Sequence, residues 1–112
     1  MNIGMVTADC TDPGAEAAFW TKALGVNIVE NYEEFVMIGS TPVLGFQKVD
    51  DPTPGKNRMH LDLHSADRLA EVDRLIALGA AVVAEHQMPG GSGFTWTVMR
   101  DPEGLEFCVS GQ

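Results

Sequence analysis

The chain has 112 residues, the usual size of one domain, and can bury a core without disulfides or bound metals to hold it. Hydrophobic residues make up 45% of the sequence, which is typical of a globular protein and argues against disorder. The net charge of −9 would repel polyanions, so nucleic acids and anionic membranes are not expected as partners. No apolar run approaches the roughly 18 residues that span a membrane, and the first residues lack the basic stretch of a signal peptide. We therefore expect a cytoplasmic protein.

The first half of the sequence predicts one helix among four strands. A strand is predicted at residues 3–8, and Asp12 and Pro13 then suit the N-cap and the first position of a helix. Gly25 is the expected left-handed residue after that helix. Strands are then predicted at about 26–31, 34–38 and 42–49, separated by turn-forming residues.

The second half repeats this order. A strand over 59–63 precedes a helix that we expect to be capped by Ser65 and to end at Gly79, 54 residues after Gly25. Its amphipathic stripe is Leu69, Val72, Leu75 and Ile76. Strands follow at about 80–86, 94–99 and 105–110. A repeat of half the chain length, present in only two copies, indicates a duplication rather than a solenoid.

The duplication predicts one domain over residues 1–112 with two β-α-β-β-β modules. Module one covers about 2–49, a polar linker covers about 50–57, and module two covers about 58–110. Mixed sheet with helices on one face gives the α+β class. The glycine-rich stretch at 89–93 lies between two predicted strands and is interpreted as a hairpin that can act as a lid.

The two cysteines, Cys10 and Cys108, lie near opposite ends of the chain, and the sequence contains no Cys-x-x-Cys pair. One disulfide between them is an alternative, but we favour two thiols in a reducing compartment. This interpretation agrees with the expected cytoplasmic location.

Several motifs in this order resemble the glyoxalase/bleomycin resistance/dioxygenase superfamily, also called the vicinal oxygen chelate superfamily. They are Phe19-Trp20 before Ala23-Leu24-Gly25, the run from Lys56 to Leu63 with His60 in it, Trp96, and Arg100-Asp101-Pro102-Glu103-Gly104. The resemblance covers about residues 3–110 and is strongest to the short glyoxalase-like branch. It implies two βαβββ modules whose mixed sheet curls around a shared cavity, in a protein that is often a homodimer. Members include metal enzymes and metal-free binding proteins, and the fold alone does not choose between them.

In the metal enzymes of that superfamily, ligands come from the first and last strands of each module. The resemblance places these positions at Met5, at Gly45 with Gln47 on the same face, at His60 and at Cys108. Methionine and glycine side chains are not ligands for a hard divalent ion, and an amide is a weak donor. We therefore predict a degenerate metal site with no cofactor and no glyoxalase I activity. A divalent metal held by the His–Cys pair with help from another group is the alternative.

The resemblance assigns the following residues to a ligand-binding cavity: Met5, Gln47, His60, Asp62, Trp96 and Cys108. His60 and Gln47 would supply directional hydrogen bonds, and His60 is also the candidate catalytic base. Asp62 is either a cavity acid or the orienting partner of His60. Trp96 either stacks on a ligand or packs in the core, and for Cys108 we favour a small buried residue.

Three functions follow from these residues. The favoured one is a protein that binds a small, partly apolar molecule without the usual catalytic metal, in a cavity with mostly apolar walls. The alternative is a lyase, isomerase or dioxygenase-type enzyme of the same superfamily that uses His60 as metal ligand or general base. The third is an interaction module whose main role is dimer formation.

Overall fold

The computed structural model describes residue 3 and residues 5–54, 60–87 and 93–111. Within these ranges the elements are β1 (Met5–Cys10), α1 (Pro13–Leu24), β2 (Ile28–Asn31), β3 (Phe35–Ile38), β4 (Val43–Lys48), β5 (Leu61–His64), α2 (Arg68–Ala77), β6 (Ala81–Gln87), β7 (Thr95–Arg100) and β8 (Glu106–Ser110). The chain divides into two units, Met1–Thr53 and Pro54–Gln112, and this boundary lies inside the predicted linker. Neither α1 nor α2, the helices of the described ranges, is long and apolar enough to cross a membrane.

Each unit contains one four-stranded sheet, and the two sheets have the same topology. The strand order is β1-β4-β3-β2 in the first unit and β5-β8-β7-β6 in the second. The first and last strands of each unit pair in parallel, and the remaining neighbours are antiparallel. The predicted α+β fold with two βαβββ modules is therefore confirmed, and its strands form two separate sheets.

Helix α1 begins and ends where the sequence predicts. The side chain of Asp12 accepts a hydrogen bond from the backbone N–H of Ala15 at 3.1 Å, and Pro13 occupies the first turn. Gly25 has φ 68°, and its N–H donates to the carbonyl of Thr21. The core beside this helix consists of Ala17, Trp20, Val36, Ile38, Leu44 and Phe46, all buried.

Helix α2 begins later than the sequence predicts. Its N-cap is Asp67, whose side chain accepts from the N–H of Ala70 at 3.1 Å, so the predicted cap at Ser65 is wrong. The N–H of Ser65 donates to the carbonyl of Ser110 at 3.0 Å, which extends the pairing of β5 with β8 by one residue. The helix therefore starts two residues further along the chain, at the Asp67 cap.

The buried side of α2 also differs from the predicted stripe. Val72 and Leu75 are buried as expected, but Leu69 and Ile76 are 58% and 46% exposed. The helix instead buries Arg68, one turn before Val72. The sequence pattern missed this position because a buried arginine does not contribute to an apolar stripe.

Arg68 ties α2 to the second sheet through polar contacts. Its Nη1 donates to Thr97 Oγ1 at 2.6 Å and pairs with Glu85 Oε1 at 2.8 Å. The arginine is only 7% exposed, and its Nε has no hydrogen-bond partner in the described part of the chain. These contacts establish that α2 covers the face of the sheet on which Thr97 and Glu85 lie.

The turn before β8 is formed by the Asp-Pro-x-Gly motif at residues 101–104. Asp101 Oδ1 accepts hydrogen bonds from the N–H groups of Glu103 and Leu105, both at 2.9 Å. Gly104 completes the turn with φ 89°, a conformation that favours glycine. The Asp-Pro-x-Gly motif therefore closes the β7–β8 connection.

Candidate functional site

The candidate site lies on the face of the second sheet opposite α2. Side chains alternate between the two faces of a strand, so residues next to Thr97 and Glu85 point away from the helix. We call this surface the site face, and its polar and aromatic residues are His60, Asp62, His64, His86, Trp96, Arg100, Glu106, Cys108 and Ser110. It carries all three histidines of the sequence.

Strand register arranges these residues in rows across the sheet. Asp62 is the register partner of Cys108. In the next row His64 lies opposite Ser110, Ser110 opposite Trp96, and Trp96 opposite His86. Residues directly opposite each other are in side-chain contact range, so each row can act on one bound group.

The first row contains a compact cluster of three donor groups. His60 Nε2 lies 3.3 Å from Asp62 Oδ1, and one donor atom from each of these residues lies within 4.8 Å of the Cys108 sulfur. The side chains of His60 and Asp62 are 33% and 62% exposed, whereas Cys108 is buried. Three of the predicted site residues are therefore brought together, with the thiol beneath the two exposed groups.

The second row combines aromatic rings with a short polar contact. The rings of His86 and Trp96 stack with centroids 5.3 Å apart and planes at 29°. Phe94, 45% exposed, lies 5.8 Å from Trp96 between ring centroids. The ring of Trp96 is half-buried on the site face.

His64 Nδ1 and Ser110 Oγ lie 2.6 Å apart at the other end of this row. The Ser110 hydroxyl also lies 3.3 Å from the carbonyl of Leu63. A hydroxyl has one hydrogen, so when it donates to Leu63 it accepts from the N–H at Nδ1 of His64. In that tautomer the exposed imidazole presents Nε2 as an acceptor.

In the first unit, the predicted residues Met5 and Gln47 lie on the corresponding face, away from α1. Thr7 pairs with Gly45 and Asp9 with Gln47, in the same relation as Asp62 with Cys108 and His64 with Ser110. A Cβ added at Gly45 would lie 2.7 Å from Phe35 Cζ and 2.8 Å from Met5 Sδ. Apolar atoms therefore fill the space that a ligating side chain at position 45 would need.

This packing bears on the metal that the superfamily resemblance implies. Two of its four ligand positions fall in the first unit, and there the structure has Met5 and Gly45, with Gln47 on the same face as Gly45. A thioether is not a ligand for a hard Lewis-acidic ion, glycine has no ligating side chain, and the amide of Gln47 is a weak neutral donor. The residues present do not fit the four-position metal site of the superfamily's enzymes.

Several residues of the site escaped the sequence predictions. His86 and Phe94 contact Trp96, and Ser110 contacts His64. His64 was also missed. It follows His60 and Asp62 at every second residue of one strand, and this alternation could have placed it on the same face of the sheet. The lid predicted at 89–93 lies, apart from Gly93, outside the described residues.

The fold and the site define an α+β protein of the glyoxalase superfamily type, with a polar and aromatic face on its second module. A model of the glyoxalase-like domain family matches residues 5–110. The chain therefore belongs to the glyoxalase-like domain family. A comparison with curated proteins finds no match.

Several solved structures share the fold of this chain. A glyoxalase/bleomycin resistance protein/dioxygenase family enzyme from Burkholderia phytofirmans aligns over 99% of this chain and 98% of its own, with TM-score 0.80 and 18% identity. A glyoxalase-related enzyme from Fulvimarina pelagi gives TM-score 0.77 and 17% identity over 100% of this chain and 88% of its own. A lactoylglutathione lyase from Agrobacterium tumefaciens gives TM-score 0.67 and 21% identity over 98% of this chain and 92% of its own. At these identities the likeness is one of fold.

Proposed function

We propose that this glyoxalase-like protein binds a small, partly apolar molecule against the site face of its second unit. The observation that carries the proposal is the stacked pair of His86 and Trp96, with Phe94 beside it, on the sheet face that α2 leaves uncovered. Aromatic side chains offer a large apolar contact surface with few rotatable bonds. A flat ring of a ligand can stack on such a platform.

Polar groups next to the stacked His86–Trp96 pair can orient the bound molecule. The exposed imidazole of His64 lies in the same row as the platform, and the His60–Asp62 pair lies one row away. Binding sites for small molecules are usually apolar with a few convergent polar groups of this kind. The net charge of −9 favours neutral or cationic molecules over anions.

We also propose that Met5 and Gln47, on the face of the first unit's sheet away from α1, are ligand-binding residues of that unit taken by itself. Gln47 is exposed and has both donor and acceptor atoms, while Met5 is 38% exposed and offers a soft apolar surface. The proposed activity is binding, without turnover through the superfamily's usual metal. It does not include glyoxalase I activity.

The proposal is tested by saturation-transfer NMR on a panel of neutral aromatic compounds with one hydrogen-bonding group, including indole, phenol and catechol. We expect saturation transfer to some of these compounds, and we expect Trp96→Ala to lower their affinity about fivefold because a stacked ring contributes on the order of 1 kcal/mol. Leu69→Ala is the matched control, since Leu69 is an exposed apolar residue on α2. Equal affinities in wild type, Trp96→Ala and Leu69→Ala would show that these compounds do not bind at the site face.

A further inference from the structure

We propose that Ser110 is a nucleophile with His64 as its general base, and that this pair hydrolyses aryl esters, whose alcohol part is a phenol. Both residues lie in the row of the site face that ends in the stack of His86 on Trp96. Neither occupies a metal-ligand position of the superfamily, and the reaction uses no metal. The reaction goes beyond the proposed binding, and only its recognition of the aromatic ring rests on the proposed function.

The contact between the two side chains has the length that proton transfer needs. His64 Nδ1 and Ser110 Oγ are 2.6 Å apart, at the short end of the about 2.6–3.2 Å that separates a nucleophile from its base. The carbonyl oxygen of Leu63 lies 3.3 Å from the same hydroxyl, beyond the usual about 2.5–3.0 Å of an O–H···O hydrogen bond. The hydroxyl therefore donates preferentially to Nδ1 of His64, in the tautomer whose own proton is on Nε2.

The sheet holds the nucleophile and the base in place. Ser110 is the last residue of β8, which pairs with β5 on one side and with β7 on the other. Its register partner on β5 is His64, the last residue of that strand. Ser110 is 5% exposed and His64 is exposed, so their contact lies beneath a ring that solvent reaches. A hydrogen bond shielded in this way is electrostatically stronger than one in water.

Trp96 gives the pair its substrate class. It is the register partner of Ser110 on β7, so the Cβ atoms of the two residues lie about 4.5–5.5 Å apart. A serine side chain is much shorter than an indole, so the hydroxyl lies at the base of the ring. A phenyl ring stacked on Trp96 therefore brings a carbonyl carbon that is attached to it through one oxygen close to Ser110 Oγ. Aryl esters have this geometry and are neutral, which suits a chain of net charge −9.

The reaction has two steps, which return the protein to its starting state. In the first, Ser110 Oγ bonds to the carbonyl carbon and gives its proton to His64 Nδ1, while the bond from that carbon to the phenolic oxygen breaks. The departing phenolate takes the proton from His64, so a phenol and an acyl-serine result. In the second, water gives a proton to His64 Nδ1 and bonds to the same carbon. The bond from that carbon to Ser110 Oγ breaks, Oγ takes the proton, and a carboxylic acid leaves.

The test is the reaction of untagged protein with p-nitrophenyl acetate, an aryl ester whose phenolate absorbs visible light. We expect nitrophenolate release above the rate in buffer alone. Protein quenched in acid during the reaction should carry an acetyl group, which peptide mass spectrometry should locate on Ser110. Acid protonates the general base and so preserves the acetyl-serine for this measurement.

Variants assign the reaction to the two residues. Ser110→Ala should lose the acetyl group and lower nitrophenolate release to the buffer rate. His64→Gln should lower the acylation rate at least about a hundredfold, since a positioned general base contributes about 10²–10⁴-fold. His64 is exposed, so this variant carries the test even where a variant of the buried Ser110 fails to fold. Ser40→Ala is the matched control and should react like the wild type, since the Ser40 hydroxyl donates to the carbonyl of Pro42.

Two results would overturn the inference. One is wild-type protein with no acetyl group on Ser110, whether or not another residue is acetylated. The other is nitrophenolate release that His64→Gln leaves unchanged. Saturation transfer to the aromatic panel without acetylation of Ser110 would overturn this inference and leave the proposed function standing. Acetylation of Ser110 in a protein that binds none of the panel would support the nucleophile and contradict the proposed function.

Discussion

Arg68 shows how one buried charge can link a helix to a sheet. Its side chain is 9% exposed and is paired with Glu85, whose side chain is 56% exposed. On the same helix, Arg74 and Glu71 form an ion pair of similar length with both partners partly exposed. The two pairs look alike on the basis of distance, but only one leaves a buried cation when its glutamate is removed.

Glu85→Ala is therefore expected to lower the free energy of unfolding by about 1–3 kcal/mol, since it leaves the Arg68 guanidinium buried with Thr97 as its partner. Glu71→Ala, the matched control, should cost less than about 0.5 kcal/mol, since exposed ion pairs are weak. Urea denaturation followed by circular dichroism measures both. Adding Arg68→Met to Glu85→Ala should recover part of the lost free energy of unfolding. Equal losses for Glu85→Ala and Glu71→Ala would contradict the role of Glu85 as the partner of a buried cation.

Gly111, directly after β8, stands where the backbone conformation and the available space both favour glycine. It has φ 135°, and a Cβ there would collide with the carbonyl oxygen of Ser65. Gly111→Ala should destabilise the protein by about 1–3 kcal/mol through backbone strain. Gly14→Ala in α1 is the control, because its added Cβ meets Asp12 Oδ1 at an ordinary 3.6 Å. Thermal unfolding should show a lower Tm for the first variant and an unchanged or higher Tm for the second.

At the scale of elements, the order of strands and helices was predictable because cap and turn residues mark the element boundaries clearly. Asp12, Pro13 and Gly25 have one plausible role each, and all three have it. Ser65 and Asp67 both suit an N-cap and stand two residues apart. The structure has the cap at Asp67, whose side chain accepts from the N–H of Ala70, and the local sequence does not distinguish the two.

The start of α2 can be tested directly. Asp67→Ala should lower the free energy of unfolding by about 1 kcal/mol, because the N–H of Ala70 loses its acceptor. Asp73→Ala, an exposed position inside the same helix, should be neutral or slightly stabilising. Chemical denaturation of the two variants compares them, and a larger loss for Asp73→Ala would place the helix start elsewhere.

Site residues could be predicted only where spacing within one strand or the superfamily's motif places them. His60, Asp62 and Cys108 occupy positions that the resemblance assigns to a site, and they do lie together. His86 faces Trp96 only through the register of β6 with β7, which shifts at an irregularity between Val82 and Ala84. A slip of one residue moves a side chain to the other face, so sequence alone could not place His86.

At the scale of the whole molecule, the duplication is symmetric in backbone and asymmetric in chemistry. Both units have the same strand order and equivalent register pairs. In the first unit the face away from the helix carries Met5 and Phe35 packed over Gly45. In the second, the same face carries three histidines, an aspartate and a thiol. The proposed binding function follows from this difference between the halves.

The most direct measurement is a titration of ¹⁵N-labelled protein with the strongest binder of the aromatic panel, followed by two-dimensional NMR. We predict saturable shifts of the Trp96 indole N–H and of the amides of His86 and Ser110, which share one row of the site face. The amides of Leu69 and Ile76, on the exposed side of α2, should not move. Shifts confined to α2, or no saturable shift on the site face with any compound of the panel, would show that the site face does not bind these molecules.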